Sequence, residues 1–521
     1  MKRKKLPTGI YTFAKIRGED YYYVDKTPFA LQLIEEGSYY FLSRPRRFGK
    51  SLFLDTLAEL FQANEPLFRG LYAHEHWDWG IKYPVIRLSF GGGLMRDRAQ
   101  LEAKFRELLD INQARLGISC RQPTAPGCFA ELIQSAEQKY GQRVVILVDE
   151  YDKPIVDNLT QPELAREMRD GLRNFYSVIK DNDAQIKFAF ITGVSKFSKV
   201  SIFSGLNNLE DITLNVGYSA ICGYTEDDLD EVFAPELEGL DRQQIRDWYN
   251  GYNWTGEAVY NPYDLLLLFD SRLFRCYWFE TGTPTFLIDV LTQRQTFSPK
   301  ISAWHATEAL LSRFDVDDMT TEALLWQTGY LTLHGQRQVG TARVEYRLGY
   351  PNLEVESALN EALLSRLYGN ASLASESVSR LYDTLMSGDF EQLRQHFHSL
   401  YAGIPHDWYR NNPITHYEGY WASVFYSHFA ALGLDIRLED ATNQGRLDMA
   451  VLFNQQVYLF EFKVVELVPE GKALGQLKIK NYAEKYQALN QPIHLIGIEF
   501  SKEQRNLSGF DVETLTQQVL I

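Results

Sequence analysis

The feature that most restricts the fold of this chain is a continuous apolar run over residues 143–155, RVVILVDEYDKPI. A run in which apolar residues do not alternate with polar ones is typical of a parallel strand buried on both faces. Asp149 and Glu150 end this run, at the edge where ligands bind in open α/β sheets. The segment therefore predicts a doubly wound parallel sheet with an acidic ligand site, and a strand ending in solvated acids is the plain alternative.

A second segment, residues 39–61, has the order strand, loop, helix, and Gly49, Lys50 and Ser51 begin the helix. The N-terminus of a helix presents free N–H groups and a partial positive charge, which suit phosphate. In a loop of this kind Lys50 reaches the β- and γ-phosphates and Ser51 ligates Mg²⁺. Because Arg44 stands where the pattern has its first glycine, a basic turn before an amphipathic helix remains the alternative.

The acidic strand end complements this loop. Asp149 is expected to hold Mg²⁺ through water, and Glu150 to polarise the attacking water. Two further apolar runs, residues 84–90 and 186–197, supply more strands of the same sheet. The second run contains Thr192, which is placed either to sense the γ-phosphate or to form a plain turn at the end of a strand.

The stretch over residues 445–463, GRLDMAVLFNQQVYLFEFK, predicts two short strands joined by a tight turn. Glu461 and Lys463 share a face of the second strand, roughly 7 Å apart. A loop of two or four residues places Asp448 opposite Glu461, with their Cβ atoms about 5 Å apart. Two carboxylates that close repel unless a cation lies between them, and an oxygen-lined gap suits Mg²⁺. A loop with an odd number of residues would turn Asp448 away.

Lys463 lies beside this gap and is expected to hold a phosphate or an attacking water, which predicts metal-assisted hydrolysis of a phosphodiester. The plain alternative is a solvated hairpin face with a Glu–Lys pair. Apolar neighbours occupy both faces of residues 457–465, however, and burying a charge without a partner is costly. The pattern therefore requires a function or a buried ion pair.

The helix predicted over residues 415–432 carries Glu418 on an apolar stripe with Trp421 and Phe425. Thr415 and Glu418 also have the spacing of a capping box, in which the glutamate closes the start of the helix. Spacing alone leaves open whether Glu418 caps the helix or takes part in catalysis.

Length and composition bound the classes of protein that remain. A chain of 521 residues exceeds a single core, so two to four domains are expected. The four scattered cysteines form no CxxC, which predicts neither a zinc site nor a disulfide framework and fits a reducing cytoplasm. The basic start is not followed by an apolar signal-peptide core, and no stretch of about 18 apolar residues occurs. The net charge of −15 argues against a protein that binds nucleic acid over most of its surface, but it is compatible with a local basic groove.

Four segments together resemble the prokaryotic AAA-ATPase-like family. They are LPTGIYTFAKIRGEDYYYVDKT, SRPRRFGKS, VDEYDKPI and ITGVSKFSKVSIFSGLNNLEDIT. In that family the phosphate loop is written RPRRFGKS, so the missing glycine is a family trait. Members commonly carry a C-terminal nuclease domain of the PD-(D/E)xK superfamily. The resemblance implies ATP and Mg²⁺ as cofactors, with nucleotide-binding residues at Arg46, Arg47, Phe48, Gly49, Lys50, Ser51, Asp149 and Thr192.

The same resemblance assigns the residues of the last domain. Asp448, Glu461 and Lys463 match the Asp…Glu-x-Lys core of such nucleases, and Glu418 becomes an extra ligand or water-orienting group. The helix predicted over residues 472–489 resembles the one that follows this core in the family. In it Gln476, with Tyr482 nearby, would position the metal site or the substrate backbone. Near the nucleotide site, the resemblance places Asp25 and Lys26.

The expected architecture is α/β and multidomain: a P-loop parallel sheet, a helical and winged-helix middle region and a C-terminal restriction-endonuclease-like domain. The corresponding boundaries are residues 1–221, 222–370 and 378–521. We expect an ATP-dependent or ATP-regulated nuclease acting on DNA in preference to RNA, without membrane contact, in the cytoplasm. A homo-oligomer is left open. The rivals are a nucleotide switch or assembly platform whose nuclease fold only binds, and an ATPase that signals to a partner.

Overall fold

The computed structural model describes residues 3–196, 202–203, 206, 208–282, 287–288, 290–291, 304–315, 318–403, 418–442 and 444–515. Within these ranges the side chains of 280–282, 314 and 418–420 are left out. The chain divides into two compact units: Met1–Gly282 with Trp304–Asn352, and Thr283–Ala303 with Leu353–Ile521. The region predicted over residues 222–370 is therefore shared between both units.

The first unit is built on a parallel sheet with the strand order β2-β3-β4-β1-β5. The strands are β1 Tyr39–Ser43, β2 Val85–Ser89, β3 Val144–Asp149, β4 Ile186–Gly193 and β5 Glu210–Asp211. Residues 144–148 are all buried, as a strand covered on both faces requires. The predicted parallel sheet is confirmed, and its carboxyl edge carries the ends of β1, β3 and β4.

Helices flank this sheet and connect its strands. They are α1 Phe13–Gly18, α2 Thr27–Glu36, α3 Lys50–Phe61, α4 Tyr72–His76, α5 Arg98–Leu116, α6 Ala125–Tyr140, α7 Lys153–Val156 and α8 Pro162–Asp181. The starts of two long helices are closed by side chains: Asp97 accepts from the N–H of Gln100, and Thr124 from that of Gly127. Such caps satisfy N–H groups that have no partner inside the helix.

The rest of the first unit is mainly helical. Its helices are α9 Glu226–Val232, α10 Ala234–Leu237, α11 Arg242–Tyr249, α12 Pro262–Ser271, α13 Tyr277–Gly282, α14 Glu308–Leu311 and α15 Thr321–Thr328. Helix α9 begins with a full capping box, in which Thr225 and Asp228 satisfy each other's backbone N–H groups. This region also contains five strands: β6 His305–Ala306, β7 Phe314–Asp315, β8 Asp318–Met319, β9 Thr332–Val339 and β10 Arg343–Gly349, which pairs with β9.

The second unit places helices against a mixed sheet with the order β11-β12-β13-β14-β15. Only β13 and β14 are parallel among these described pairs. The strands are β11 Asp435–Thr442, β12 Gly445–Phe453, β13 Gln456–Val465, β14 Ile493–Ser501 and β15 Asn506–Leu515. The helices are α16 Leu353–Tyr368, α17 Ala371–Ser387, α18 Phe390–Gly403, α19 Glu418–Ala431 and α20 Lys472–Ile479. In the predicted winged-helix region the chain runs helix, hairpin, helix over α15, β9, β10 and α16, and α16 belongs to the second unit.

The two faces of this mixed sheet have separate cores. Phe460 and Phe462 pack with helix α19, whereas Leu459 packs on the other face with Leu477 and Tyr482. The helix predicted over residues 472–489 ends early, because Asn481 adopts a left-handed conformation with φ 45°. A 3₁₀-helix, Tyr482–Leu489, follows it. In the described ranges no helix combines the length and the hydropathy that a membrane span needs.

Candidate functional site

The hairpin between β12 and β13 turns through two residues, Asn454 and Gln455, with φ values of 50° and 57°. Two left-handed residues in succession form the tight turn that matches the twist of paired strands. The register runs from Phe453 opposite Gln456 to Met449 opposite Phe460. One further step in this register pairs Asp448 with Glu461, so the predicted even loop is confirmed.

Asp448 lies where the ladder between the two strands stops. Its Oδ2 accepts the backbone N–H of Phe462 at 2.8 Å, a donor that a regular ladder would give to a carbonyl oxygen. The aspartate side chain thereby takes the place of a backbone acceptor. This contact fixes the carboxylate beside the strand that carries Glu461 and Lys463.

Glu461 is almost fully buried, with 1% of its surface exposed. Its Oε1 accepts from Lys463 Nζ at 3.1 Å and from Gln476 Nε2. Its Oε2 is buried and has no hydrogen-bond partner among the described residues. Burial, and next the charge of Asp448, raises the pKa of Glu461 to about 7.

Helix α20 brings Gln476 to Glu461 because a glycine lets the helix approach the sheet. Gly497 pairs with Glu461 on β14, and a Cβ atom there would lie 2.3 Å from the backbone nitrogen of Leu474. No side chain fits at that distance. Gly445 has a similar role, since a Cβ atom there would lie 3.1 Å from the Tyr482 hydroxyl.

Glu499 contributes to the structure of this site, although the sequence analysis did not identify it. It is 1% exposed and pairs in register with Lys463. Its carboxylate accepts from the N–H groups of Glu470 at 2.5 Å, Lys472 at 2.6 Å and Ala473 at 3.3 Å. Lys472 and Ala473 are the first two residues of α20, whose N–H groups have no partner inside the helix, and Glu470 lies just before it. Glu499 therefore anchors the helix that carries Gln476. The available signal was one acid within an otherwise apolar strand, IHLIGIEF.

The residues of this site fit Mg²⁺. Asp448 and Glu461 offer hard carboxylate oxygens, and no thiol or imidazole is among these ligands. The buried Oε2 of Glu461 accepts no hydrogen bond from the described residues, so it could bind a cation. No cluster of three or more His, Cys, Asp or Glu residues suited to a metal occurs in the part of the chain that the structure describes. The site therefore offers two protein carboxylates, a number usual for Mg²⁺, which retains water and takes phosphate oxygens.

The predicted role of Glu418 is not decided by the described side chains. Glu418 is the first residue of α19, but its side chain and Thr415 lie outside the described residues. Lysines on α20 and on the 3₁₀-helix after it are largely neutralised by acids. Lys472 pairs with Glu470, Lys478 with Glu513 and Lys485 with Asp440.

The phosphate loop lies between β1 and α3 in the first unit. Gly49 directly precedes α3 with φ 95°, a conformation that favours glycine. Lys50 is buried, and its Nζ donates to the carbonyl oxygens of Arg44 and Pro45 at 2.8 Å each. Burial lowers the pKa of Lys50, and the charge of Asp149 opposes that shift.

Asp149, at the end of β3, contacts both the start of α3 and the end of β4. Its Oδ2 accepts from the Ser51 hydroxyl at 2.6 Å, and its Oδ1 from the Thr192 hydroxyl at 2.9 Å. Thr192 is fully buried and so is placed behind Asp149, where it orients that carboxylate. Ser51 and Asp149 form the oxygen pair that would hold Mg²⁺, as expected for such a loop.

Glu150, the residue after β3, has a strained backbone. Its φ is 52°, which costs a residue with a Cβ atom roughly 1–2 kcal/mol. Burial, and next the charge of Asp149, raises its pKa above the ordinary value. Such strain and such a shift are common for residues with a functional role.

The unusual loop residues have distinct positions. Arg44, in place of the first glycine, is 1% exposed and donates to the carbonyl oxygens of Ser43, Thr213 and Tyr218. Burial lowers its pKa to about 10. Its side chain therefore supports the loop from inside. Phe48 is likewise buried, with its ring 4.7 Å from that of Tyr252.

The phosphate loop opens into a cleft of about 730 Å³. Its lining combines the polar residues Lys50, Ser51 and Glu150 with aromatic and apolar ones such as Tyr263 and Leu266. A nucleotide has the same two characters, a charged phosphate chain and a flat apolar base, and the volume lies in the range of ligand pockets.

The two N-terminal residues expected near the nucleotide differ in position. Lys26 lines the cleft and pairs with Asp228 at 2.7 Å. Asp25 instead accepts from the N–H groups of Thr27 and Tyr72, which joins α2 to α4. Its contacts therefore indicate a structural role.

Comparison with known proteins agrees with this geometry. Residues 7–203 match the AAA-ATPase-like family, described as predicted AAA-ATPase, and residues 416–509 match the PD-(D/E)XK nuclease superfamily. The chain belongs to this family of AAA-ATPase-like proteins with a C-terminal PD-(D/E)XK domain. It is 66% identical over 516 residues to an uncharacterized protein in the vnfD 5′ region of Azotobacter chroococcum mcd 1, covering 99% of this chain and 100% of the relative.

Proposed function

We propose that this protein is an ATP-regulated, Mg²⁺-dependent nuclease that hydrolyses phosphodiester bonds of DNA. The observation that carries the proposal is the convergence of Asp448, Glu461, Lys463 and Gln476, with one buried carboxylate oxygen left without a partner. Leaving such an oxygen unsatisfied costs about 1–3 kcal/mol or more, which a purely structural hairpin would have no reason to retain.

The chemistry of this site follows from its charges. Asp448 and Glu461 would hold Mg²⁺, which supplies positive charge beside the scissile phosphate when bound. Lys463 Nζ lies 3.1 Å from Glu461 Oε1 and is partly exposed, so it can both orient a water and offset charge on the phosphate. Gln476 holds Glu461 Oε1, which keeps that carboxylate in one orientation.

The nucleotide site is proposed to hydrolyse ATP and to control the nuclease. Lys50 would exchange its two carbonyl acceptors for phosphate oxygens, and Glu150 would receive the proton of the attacking water. Preorganised charges of this kind supply most of the catalysis in phosphoryl transfer. Cytoplasmic location and DNA as the partner belong to the same proposal, and the free thiols among the described cysteines are compatible with a reducing compartment.

The test is a cleavage assay of the full-length protein on single- and double-stranded DNA and on RNA. Each substrate is incubated with Mg²⁺ or EDTA, and with or without ATP. We expect Mg²⁺-dependent cleavage of DNA whose rate changes when ATP is added. Nucleic-acid binding and ATP hydrolysis without cleavage of any substrate would instead favour the nucleotide-switch alternative.

A further inference from the structure

The phosphate loop contains three arginines, and their side chains have different surroundings. Arg44 is buried and donates to backbone carbonyls inside the first unit. Arg46 and Arg47 both line the same cleft as Lys50 and Glu150, Arg46 partly exposed and Arg47 exposed. Arg47 lies over the ring of Tyr263, 4.9 Å from its centroid, whereas Arg46 has no such ring contact among the described residues. Arg46 is therefore the one of the three arginines whose guanidinium is held neither by backbone carbonyls nor by a ring.

The backbone at Arg46 is held firmly. Its carbonyl oxygen accepts from Trp278 Nε1 at 3.1 Å, and Trp278 is 1% exposed. Two positions on, Phe48 is buried among Tyr252 and Trp254. Anchoring on both sides limits where the Arg46 side chain can reach, which is the condition for a catalytic cation to act without reorganisation.

Arg46 and Glu150, the carboxylate proposed to receive the proton of water, line the same cleft. Burial and the charge of Asp149 raise the pKa of Glu150, and the charges of Lys50 and, less strongly, Arg46 oppose that rise. In the described part of the chain no carboxylate forms an ion pair with Arg46. The guanidinium thus keeps its donors for a ligand that arrives in the cleft.

Lys196, which lies three residues after the end of β4, is another cation of this unit and has a different environment. Lys196 is 4% exposed, and its Nζ lies 2.9 Å from Asp211 Oδ2. A buried lysine already paired with an acid would have to break that pair to reach a phosphate, which is costly.

We propose that Arg46 is the arginine that stabilises the γ-phosphate during ATP hydrolysis, supplied by the same chain that holds the nucleotide. This inference rests on the ATP site of the proposed function. In the reaction, water attacks the γ-phosphorus and the bond to the β–γ bridging oxygen breaks. ADP leaves with that electron pair, and the proton of the water passes to Glu150 and then to solvent. Arg46 offsets the charge that develops on the transferred group.

The first experiment measures steady-state ATP hydrolysis and nucleotide affinity of the full chain and of Arg46→Ala. An arginine in this role is worth about 10³–10⁵-fold in kcat, so we expect a loss of that order. Affinity for a fluorescent ATP analogue should fall much less. Arg46→Lys should recover little, since lysine lacks the planar fork of donors. Arg173→Ala, at an exposed arginine of α8, is the control and should hydrolyse ATP like wild type.

The second experiment distinguishes one chain from two. Arg46→Ala is mixed with Lys50→Ala, so that each variant holds the group the other lacks. Activity that stays absent in the mixture, with wild-type turnover per chain constant on dilution, supports supply within one chain. Recovery in the mixture, or wild-type kcat retained by Arg46→Ala, would overturn the inference alone. A wild-type protein without ATP hydrolysis would overturn the proposed nucleotide site as well.

Discussion

The nucleotide site and the nuclease site balance their charges in opposite ways. In the first, Lys50 donates to two carbonyl oxygens and both oxygens of Asp149 accept a hydroxyl. In the second, Glu461 keeps one buried oxygen without a partner, and burial raises its pKa to about 7. Lys50 and Asp149 of the nucleotide site thus have partners within the protein, whereas the buried Glu461 of the nuclease site carries an electrostatic cost that a cation would relieve.

The largest effect is expected for Lys50→Ala, which should impair the nucleotide site and leave the nuclease site intact. Lys50→Ala removes the charge that contacts the phosphates, so ATP hydrolysis should fall by about 10³-fold. Stabilisation of the protein by Mg²⁺ without nucleotide should persist, because the carboxylates of the second unit are untouched. Measurements are phosphate release and thermal unfolding across a Mg²⁺ titration. Loss of both properties would mean that the sites are not separate.

A second prediction concerns the free energy of unfolding that is lost by burying the charge of Glu461. Its pKa of about 7 lies above the ordinary 4.5, so the folded chain holds this proton more tightly than the unfolded chain does. Stability from this carboxyl is therefore present below about pH 4.5 and lost as the pH rises through about 7. In EDTA at about pH 8, Glu461→Gln should raise the free energy of unfolding by about 1–3 kcal/mol while abolishing cleavage.

The control for this change is Glu503→Gln, at an exposed glutamate of the same unit. It should alter stability by less than about 0.5 kcal/mol. A lower free energy of unfolding for Glu461→Gln than for wild type in EDTA would contradict the proposal that Glu461 carries an electrostatic cost. Chemical denaturation at several pH values measures both variants.

A smaller effect tests how the nuclease site is assembled. Gly497→Ala places a Cβ atom against the backbone of α20, so the helix must shift and Gln476 must lose its contact with Glu461. We expect a loss of about 1–3 kcal/mol in stability and of about 10-fold or more in cleavage. Gly475→Ala is the matched control, because nothing lies within 4 Å of its Cβ position. It should stabilise the helix by about 0.5–1 kcal/mol, and equal effects at both glycines would contradict this role.

Local patterns were sufficient for the strands and for the register of the hairpin. The run over residues 143–155 predicted β3, and a two-residue loop aligned Asp448 with Glu461. Both depend on periodicity within a few residues, which a sequence displays directly. The same reasoning overextended the helix after the hairpin, because a left-handed Asn481 looks like any polar helix residue.

Contacts between distant segments could not be predicted. The inward side chain of Arg44, the position of Thr192 behind Asp149 and the anchoring of α20 by Glu499 all join residues brought together only by the fold. The close approach of α20 to Gly497 is of the same kind. A sequence shows that these residues are unusual in their segments, but it does not show their partners.

The most direct test of the account is the rate of DNA cleavage by wild type and by Lys463→Ala as Mg²⁺ is titrated from zero. ATP hydrolysis is measured in the same preparations to show that the first unit is intact. Since Lys463 is the cation beside Glu461, its removal should lower cleavage by about 10²–10³-fold and leave ATP hydrolysis unchanged. Cleavage by Lys463→Ala at the wild-type rate would contradict the assignment of the nuclease site.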